Sequence, residues 1–159
     1  MLSFKKPTVN DLELYFEWAN DPEVRQQSYN SITINFDNHS KWFKALLNDK
    51  SSYLYIFKNQ NNEKVGQVRI QKQNNYEAII SISVASMHRG KGYASEMLIL
   101  ATDSFFTDNK DFLINAYIKE INLSSKYSFE KAGFKFCDML SYENYNSFHY
   151  MKTPKNENR

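Results

Sequence analysis

One cysteine, Cys137, stands among 159 residues, so no disulfide can form within the chain and the fold must rest on packing. A lone thiol is compatible with a reducing, cytoplasmic setting, which is the location expected here. Cys137 follows Phe134 in an apolar run, and a small buried core residue is its expected role. No apolar run approaches the roughly 20 residues that a membrane-spanning helix needs, so no membrane partner is expected. Charge of either sign is nearly balanced, with 20 Lys and Arg against 18 Asp and Glu. The basic residues are scattered rather than striped, which argues against nucleic acid as a partner. Repeats and long linkers are also missing, and Met1 to Lys6 reads as a short strand rather than a signal peptide.

What is present is a globular composition, 42% apolar with 12 Phe and 11 Tyr, long enough to bury one sizeable core. Residues 1–152 are expected to form one domain and 153–159 a polar tail. A helix follows Asn10 and Asp11, carrying Leu12, Tyr15, Phe16 and Trp18, and the Asp21-Pro22 step ends or redirects it. Asp37 to Leu47 forms a second helix, with Trp42, Phe43, Leu46 and Leu47 on its apolar face. A hairpin joins Ser52–Lys58 to Glu63–Gln71 through the polar turn Asn59 to Asn62. Tyr76 to Ala85 is the central strand. A further strand, Phe112 to Tyr117, a helix, and two strands near Phe134–Ser141 and Ser147–Lys152 complete the chain.

The most informative stretch is Val84-Ala85-Ser86-Met87-His88-Arg89-Gly90-Lys91-Gly92-Tyr93-Ala94. It leaves the central strand and opens a helix in which Ala94, Leu98, Ala101 and Phe105 recur at helical spacing. A strand, a loop with two glycines and a helix place bare N–H groups and the positive end of a helix dipole at one corner, which suits an anion such as phosphate. Gly90 and Gly92 permit positive φ and close backbone approach, while Arg89 and Lys91 add positive charge. The spacing fits neither a Walker A loop nor the dinucleotide fingerprint. Arg89-x-x-Gly92-x-Ala94 resembles the Arg/Gln-x-x-Gly-x-Gly/Ala loop of the GNAT N-acetyltransferase superfamily, where the loop binds the pyrophosphate of acetyl-CoA.

A second element is similar to the same family. Asn122-Leu123-Ser124-Ser125, continuing through Phe129-Glu130-Lys131-Ala132-Gly133-Phe134, resembles its Asn-x-x-Ser…Tyr-Glu-Lys-x-Gly-Phe segment. Read physically, Ile121 to Ala132 is a short helix capped by Asn122 and closed by Gly133. The resemblance implies an α/β (α+β) GNAT fold, a mixed sheet of about seven strands with a splayed central pair and flanking helices. It also implies acetyl-CoA as the acetyl-donor cosubstrate, held by Val84, Arg89, Gly90, Lys91, Gly92, Tyr93, Ala94, Asn122 and Ser125. The pantetheine arm is expected to pair with the exposed backbone of Val84, as a strand adds to an open edge.

Acetyl transfer to an amine asks for a neutral amine, a stabilised oxyanion and a protonated leaving thiolate. The Val84 amide is the candidate oxyanion donor. His39 and His149 are the candidate bases, because histidine titrates near neutral pH; His39 is otherwise a first-turn residue facing solvent. Many GNAT enzymes place a tyrosine where this chain has Phe129, which has no proton to give. Tyr127 points to another helix face, leaving water or Ser125 for the leaving group. His88, inside the loop, is expected to face solvent.

The N-terminal third carries the acceptor signal. Trp18-Ala19-Asn20-Asp21-Pro22-Glu23-Val24-Arg25, followed by His39-x-x-Trp42-Phe43, resembles the GNAT enzymes of pseudaminic-acid-type pathways, which acetylate nucleotide-linked amino sugars. On that resemblance the acceptor is the 4-amino group of a nucleotide-linked amino-deoxy sugar, with Arg25 meeting a diphosphate. Trp18, Trp42 and His39 would contact the sugar or base, although Trp18 and Trp42 at helical spacing also read as core. Two alternatives stand beside this: acetylation of protein N-termini, as of ribosomal proteins, and a non-catalytic acyl-CoA-binding module. An open sheet edge leaves room for a homodimer.

Overall fold

Two antiparallel ladders meet at one short parallel contact. The computed structural model describes residues 1–155, so the last four positions of the expected tail lie outside the described residues. The strands are β1 (Ser3–Lys5), β2 (Ser52–Lys58), β3 (Lys64–Lys72), β4 (Glu77–Val84), β5 (Leu113–Lys119), β6 (Lys135–Tyr142) and β7 (Tyr145–Lys152). They form one seven-stranded mixed sheet in the order β1-β2-β3-β4-β5-β7-β6, the GNAT arrangement expected. Only β4 and β5 run parallel, and they pair just from Glu77↔Leu113 to Ile79↔Asn115. Beyond Ile79 the two strands diverge.

Side-chain alternation along the strands sorts residues onto two faces. Val68, Ile70, Ile80, Ile114, Ala116 and Ile118 pack with Met97, Leu98, Ala101 and Phe105 of α4 (Tyr93–Asp108) and with Phe129 of α5 (Leu123–Lys131). A smaller core joins Ile56 of β2 to Leu12, Tyr15 and Trp18 of α1 (Leu12–Ala19) and Phe43 of α3 (Phe36–Leu47). The β6–β7 hairpin turns on Glu143 and Asn144, both at positive φ, as a two-residue hairpin turn requires.

One expectation is sharpened at this level and two change. Pro22 does not simply end a helix: Asp21 caps a new one, α2 (Pro22–Gln27), by accepting from the N–H groups of Glu23 and Val24. Proline at the first helical position costs no hydrogen bond, because that N–H would be unpaired anyway. Cys137 is exposed, because the outer strand β6 presents most of its residues to solvent. Trp18, 9% exposed and tilted against Tyr15 at 5.6 Å, belongs to the core and not to an acceptor site.

His39 is also corrected. It is 2% exposed, its ring stacks on Phe43, and its Nε2–H donates to the Leu12 carbonyl at 3.2 Å. It joins α3 to α1 and is neither solvent-facing nor catalytic. Burial pushes its pKa down against the opposing effect of that hydrogen bond. A histidine held neutral on folding stabilises most fully above its unfolded pKa, about 6.5, and loses that stability as pH falls further. Stability from denaturant titrations should therefore decline between pH 7 and 5, and His39→Gln should flatten the decline; an unchanged slope in the variant would contradict this assignment.

Candidate active site

The divergence of β4 and β5 leaves main-chain groups without partners. In the β3–β4 ladder the odd-numbered residues exchange hydrogen bonds, as the flanking Gln73 N–H to Glu77 carbonyl and Ala85 N–H to Val65 carbonyl contacts show. The even-numbered residues of β4 therefore aim their N–H and C=O groups at β5. Tyr76 uses its carbonyl that way, accepting from Leu113 N–H at 2.9 Å. Past Ile79 no β5 partner remains, so the amides of Ile82 and Val84 point into an open gap. On the facing side Tyr117 is likewise turned towards β4, because even-numbered β5 residues are those bonded to β7, in phase with Glu120 N–H to the Asn146 carbonyl.

The gap opens into a cavity of about 670 Å³. The starts of α2, α4 and α5 border it. Gly90 and Gly92 both hold φ near +78°, and a side-chain carbon built on either meets nothing within 4 Å. Gly92 is the N-cap of α4 and supplies no side chain to its first-turn N–H groups, whereas α2, α3 and α5 are capped by Asp21, Asn35 and Asn122. An uncapped helix start beside a smooth glycine loop fits a diphosphate. Val84, Gly90, Gly92, Tyr93 and Ala94 line the cavity, as do Asn122 and Ser125 on the α5 side.

Side-chain charge in the loop is spent elsewhere. Arg89 bonds Asp21 at 3.0 Å and Glu23 at 2.7 Å, tying the loop to the start of α2. Burial tends to raise the Asp21 pKa, but the Arg89 hydrogen bond and the capped N–H groups hold its carboxyl below the usual range. Lys91 lies outside the cavity lining and bonds His88 Nδ1 at 3.3 Å. His88 is buried rather than solvent-facing. The loop thus presents backbone donors more than side-chain cations.

The remaining sequence candidates divide. Ser125 lines the cavity with its N–H capped by Asn122 Oδ1 at 3.2 Å, and Phe129, 3% exposed, adds an apolar ring without a hydroxyl. Arg25 reaches the lining, but its guanidinium serves the carbonyls of Ala19, Asn30 and Ile32 and the Ser28 hydroxyl, which removes it as a free diphosphate ligand. Trp42 lies outside the lining, beneath the Arg69 guanidinium. His149 also lies outside it. Its Nε2 meets Asn115 Oδ1 at 2.8 Å, its Nδ1 meets Asp138 Oδ1 at 3.3 Å, and its ring stacks on Tyr117. With both nitrogens engaged, His149 positions Tyr117 and is no free base.

Sequence reasoning missed Tyr29, Arg69, Tyr117, Lys119 and Tyr142, which line the same cavity. Tyr142 stacks on Tyr117 at 4.0 Å, and the Tyr29 hydroxyl meets Ser147 Oγ at 2.6 Å. The signal for the strand residues was polar alternation: Arg69 on β3, Ser81 and Ser83 on β4, and Tyr117 and Lys119 on β5 sit at every second position. Their register places them on one face.

A family model described as an acetyltransferase (GNAT) domain matches residues 2–135. The chain belongs to the GNAT acetyltransferase family, whose acetyl donor is acetyl-CoA. Solved structures share the fold at low identity. The Vibrio cholerae spermidine N-acetyltransferase in complex with CoA and spermine is 19% identical over 94% of this chain and 93% of its own, with a TM-score of 0.84. The aminoglycoside acetyltransferase AAC(6')-Ib in complex with coenzyme A is 16% identical over 96% and 95%, with a TM-score of 0.80. A domain from Methanocaldococcus jannaschii is 23% identical over 96% and 97%, also with a TM-score of 0.80. No curated protein sequence matches.

Gly92→Val should weaken acetyl-CoA binding by about tenfold or more, since valine strains the positive φ and projects into the cavity. Calorimetry reads this directly, and an unchanged affinity would contradict the loop assignment.

Proposed function

We propose that this protein transfers the acetyl group of acetyl-CoA to a primary amine of a small-molecule acceptor. The observation that carries the reading is the pair of unpartnered amides on β4, Ile82 and Val84, opening beside the uncapped start of α4. Acetyl-CoA supplies a thioester; the chain's own residues do the rest. The glycine loop and the first turn of α4 bind the diphosphate, and Asn122 and Ser125 border the path of the pantetheine arm. The Val84 N–H is aimed to meet negative charge developing on the carbonyl oxygen, a contribution of about 10²–10³-fold where such donors have been removed.

Proton handling falls to water and hydroxyl groups. Glu23, the one carboxylate in the lining among the described residues, is paired with Arg89, and His88 is held by Lys91. Phe129 fills the place of the family's tyrosine without a hydroxyl, so the thiolate leaves unassisted or with a proton from Ser125 or water. A thiol is a good leaving group, and its release does not require a dedicated acid.

The nucleotide-linked amino sugar expectation rested on Trp18, Arg25 and Trp42, and their placement in the core, on backbone carbonyls and beneath Arg69 takes away those supports. It remains one member of a wider acceptor class set by the cavity's charge. Thiol release should be followed with acetyl-CoA and a panel of small amines, nucleotide-linked amino sugars and peptides with free N-termini. Acceptor-dependent release is expected from small amines. Release only with peptides would favour the N-terminal alternative, and tight binding with no release on any acceptor would favour a non-catalytic module.

Val84→Pro removes the proposed donor and leaves the β3 ladder intact, because that amide faces away from β3. We expect kcat to fall by about 10²–10³-fold. An unchanged kcat would reassign the oxyanion contact.

A further inference from the structure

We propose that the acceptor carries an anionic group, a carboxylate or a phosphate, and that Arg69 of β3 binds it. The inference rests on the acetyl-transfer reading and narrows its acceptor class. Arg69 lies opposite Ser81 in the β3–β4 register, on the acceptor face of the sheet, and lines the cavity. It is half-buried, and burial pushes its pKa down. Among the described residues its guanidinium forms no ion pair and donates no hydrogen bond to the protein; it lies over the Trp42 ring at 5.1 Å and interacts electrostatically with the buried Tyr15 hydroxyl without bonding it.

The other cations of the cavity are all engaged. Arg25 serves three carbonyls and a hydroxyl, Arg89 serves two carboxylates, and Lys119 donates to the Gln26 carbonyl while lying 3.8 Å from the Tyr145 ring centre. A guanidinium withdrawn from water without a polar partner is costly, and an aromatic face offsets only part of that cost. A ligand anion that takes two N–H donors of the planar fork completes the site.

The charge of the lining points the same way. Arg25, Arg69, Arg89 and Lys119 face one carboxylate, Glu23, which Arg89 already holds. Such a cavity repels a polycation and draws in an acceptor with negative charge. Spermine, bound in one structural neighbour, is therefore the wrong kind of molecule here. Ser81 and Val84 are three residues apart, about 10 Å along the strand. The anion and the reacting amine thus belong at separate ends of one acceptor and not on a single carbon.

The test compares matched acceptors on the full chain with acetyl-CoA: 6-aminohexanoate, 3-aminopropyl phosphate, the neutral 6-aminohexanamide, glycine and spermidine. Initial thiol release gives kcat/KM, and calorimetry gives acceptor binding without turnover. The wild type should prefer an anionic long-chain acceptor over the neutral amide by about ten- to a hundredfold. The better of carboxylate and phosphate identifies the natural anion. Arg69→Gln should erase that preference by raising KM for the anionic acceptors while affinity for acetyl-CoA is retained, and Arg69→Lys should restore part of it.

Equal turnover of charged and neutral acceptors by the wild type would overturn the anion site while upholding acetyl transfer, and needs no variant. A loss of equal size on every acceptor in Arg69→Gln would make Arg69 structural and also overturn the proposal. Arg69-dependent binding of the carboxylate with no turnover of any acceptor would instead overturn the transfer reading and support the anion site.

Discussion

The parallel contact between β4 and β5 is three residue pairs long, and everything functional follows from its ending. Had the ladder continued, the amides of Ile82 and Val84 would be satisfied by β5 and the sheet would be closed. Its interruption leaves hydrogen-bonding groups that neither protein partner can meet, between neighbouring ladders that run six or seven residue pairs. Unpaired backbone in a half-buried gap is unfavourable unless water or a ligand meets it. A peptide-like ligand arm that runs alongside β4 restores the missing bonds, and needs no specific side chain to do so.

A second constraint couples the two halves of the site. Arg89 leaves the glycine loop and reaches Asp21 and Glu23 at the start of α2, the helix on the opposite side of the cavity mouth from the proposed donor loop. Asp21 caps that helix at the same time. One carboxylate therefore fixes the helix start and the loop together. Arg25, four residues after Asp21, gathers the carbonyls of the segment after α2. These two arginines act as struts, which on the proposed reading leaves backbone amides for the donor and Arg69 for an acceptor.

Much of this was legible in the sequence, and the parts that were not share a cause. The glycine loop, the Asn122 cap and the Gly133 stop are local signals, since each depends on a few neighbouring residues whose backbone needs are strict. The strand order and the splay came through the family resemblance rather than from pattern. His39, Trp18, Trp42 and Arg25 were misplaced because polarity and spacing do not reveal which neighbour a long or aromatic side chain will find. His39 lies on the same apolar stripe as Phe43, and only the approach of α1 shows that a carbonyl receives its proton. Arg69 was overlooked because a charged residue in an alternating strand ordinarily faces solvent. The register of β3 against β4 turns it instead onto the floor of a cavity.

Hydrogen exchange at single-amide resolution, with and without acetyl-CoA, tests the central claim most directly. The account predicts that saturating acetyl-CoA slows exchange at the Ile82 and Val84 amides and leaves Ser81 and Ser83, already bonded to β3, unchanged. Protection that ignores this odd–even alternation, or binding that leaves both Ile82 and Val84 unprotected, would contradict it.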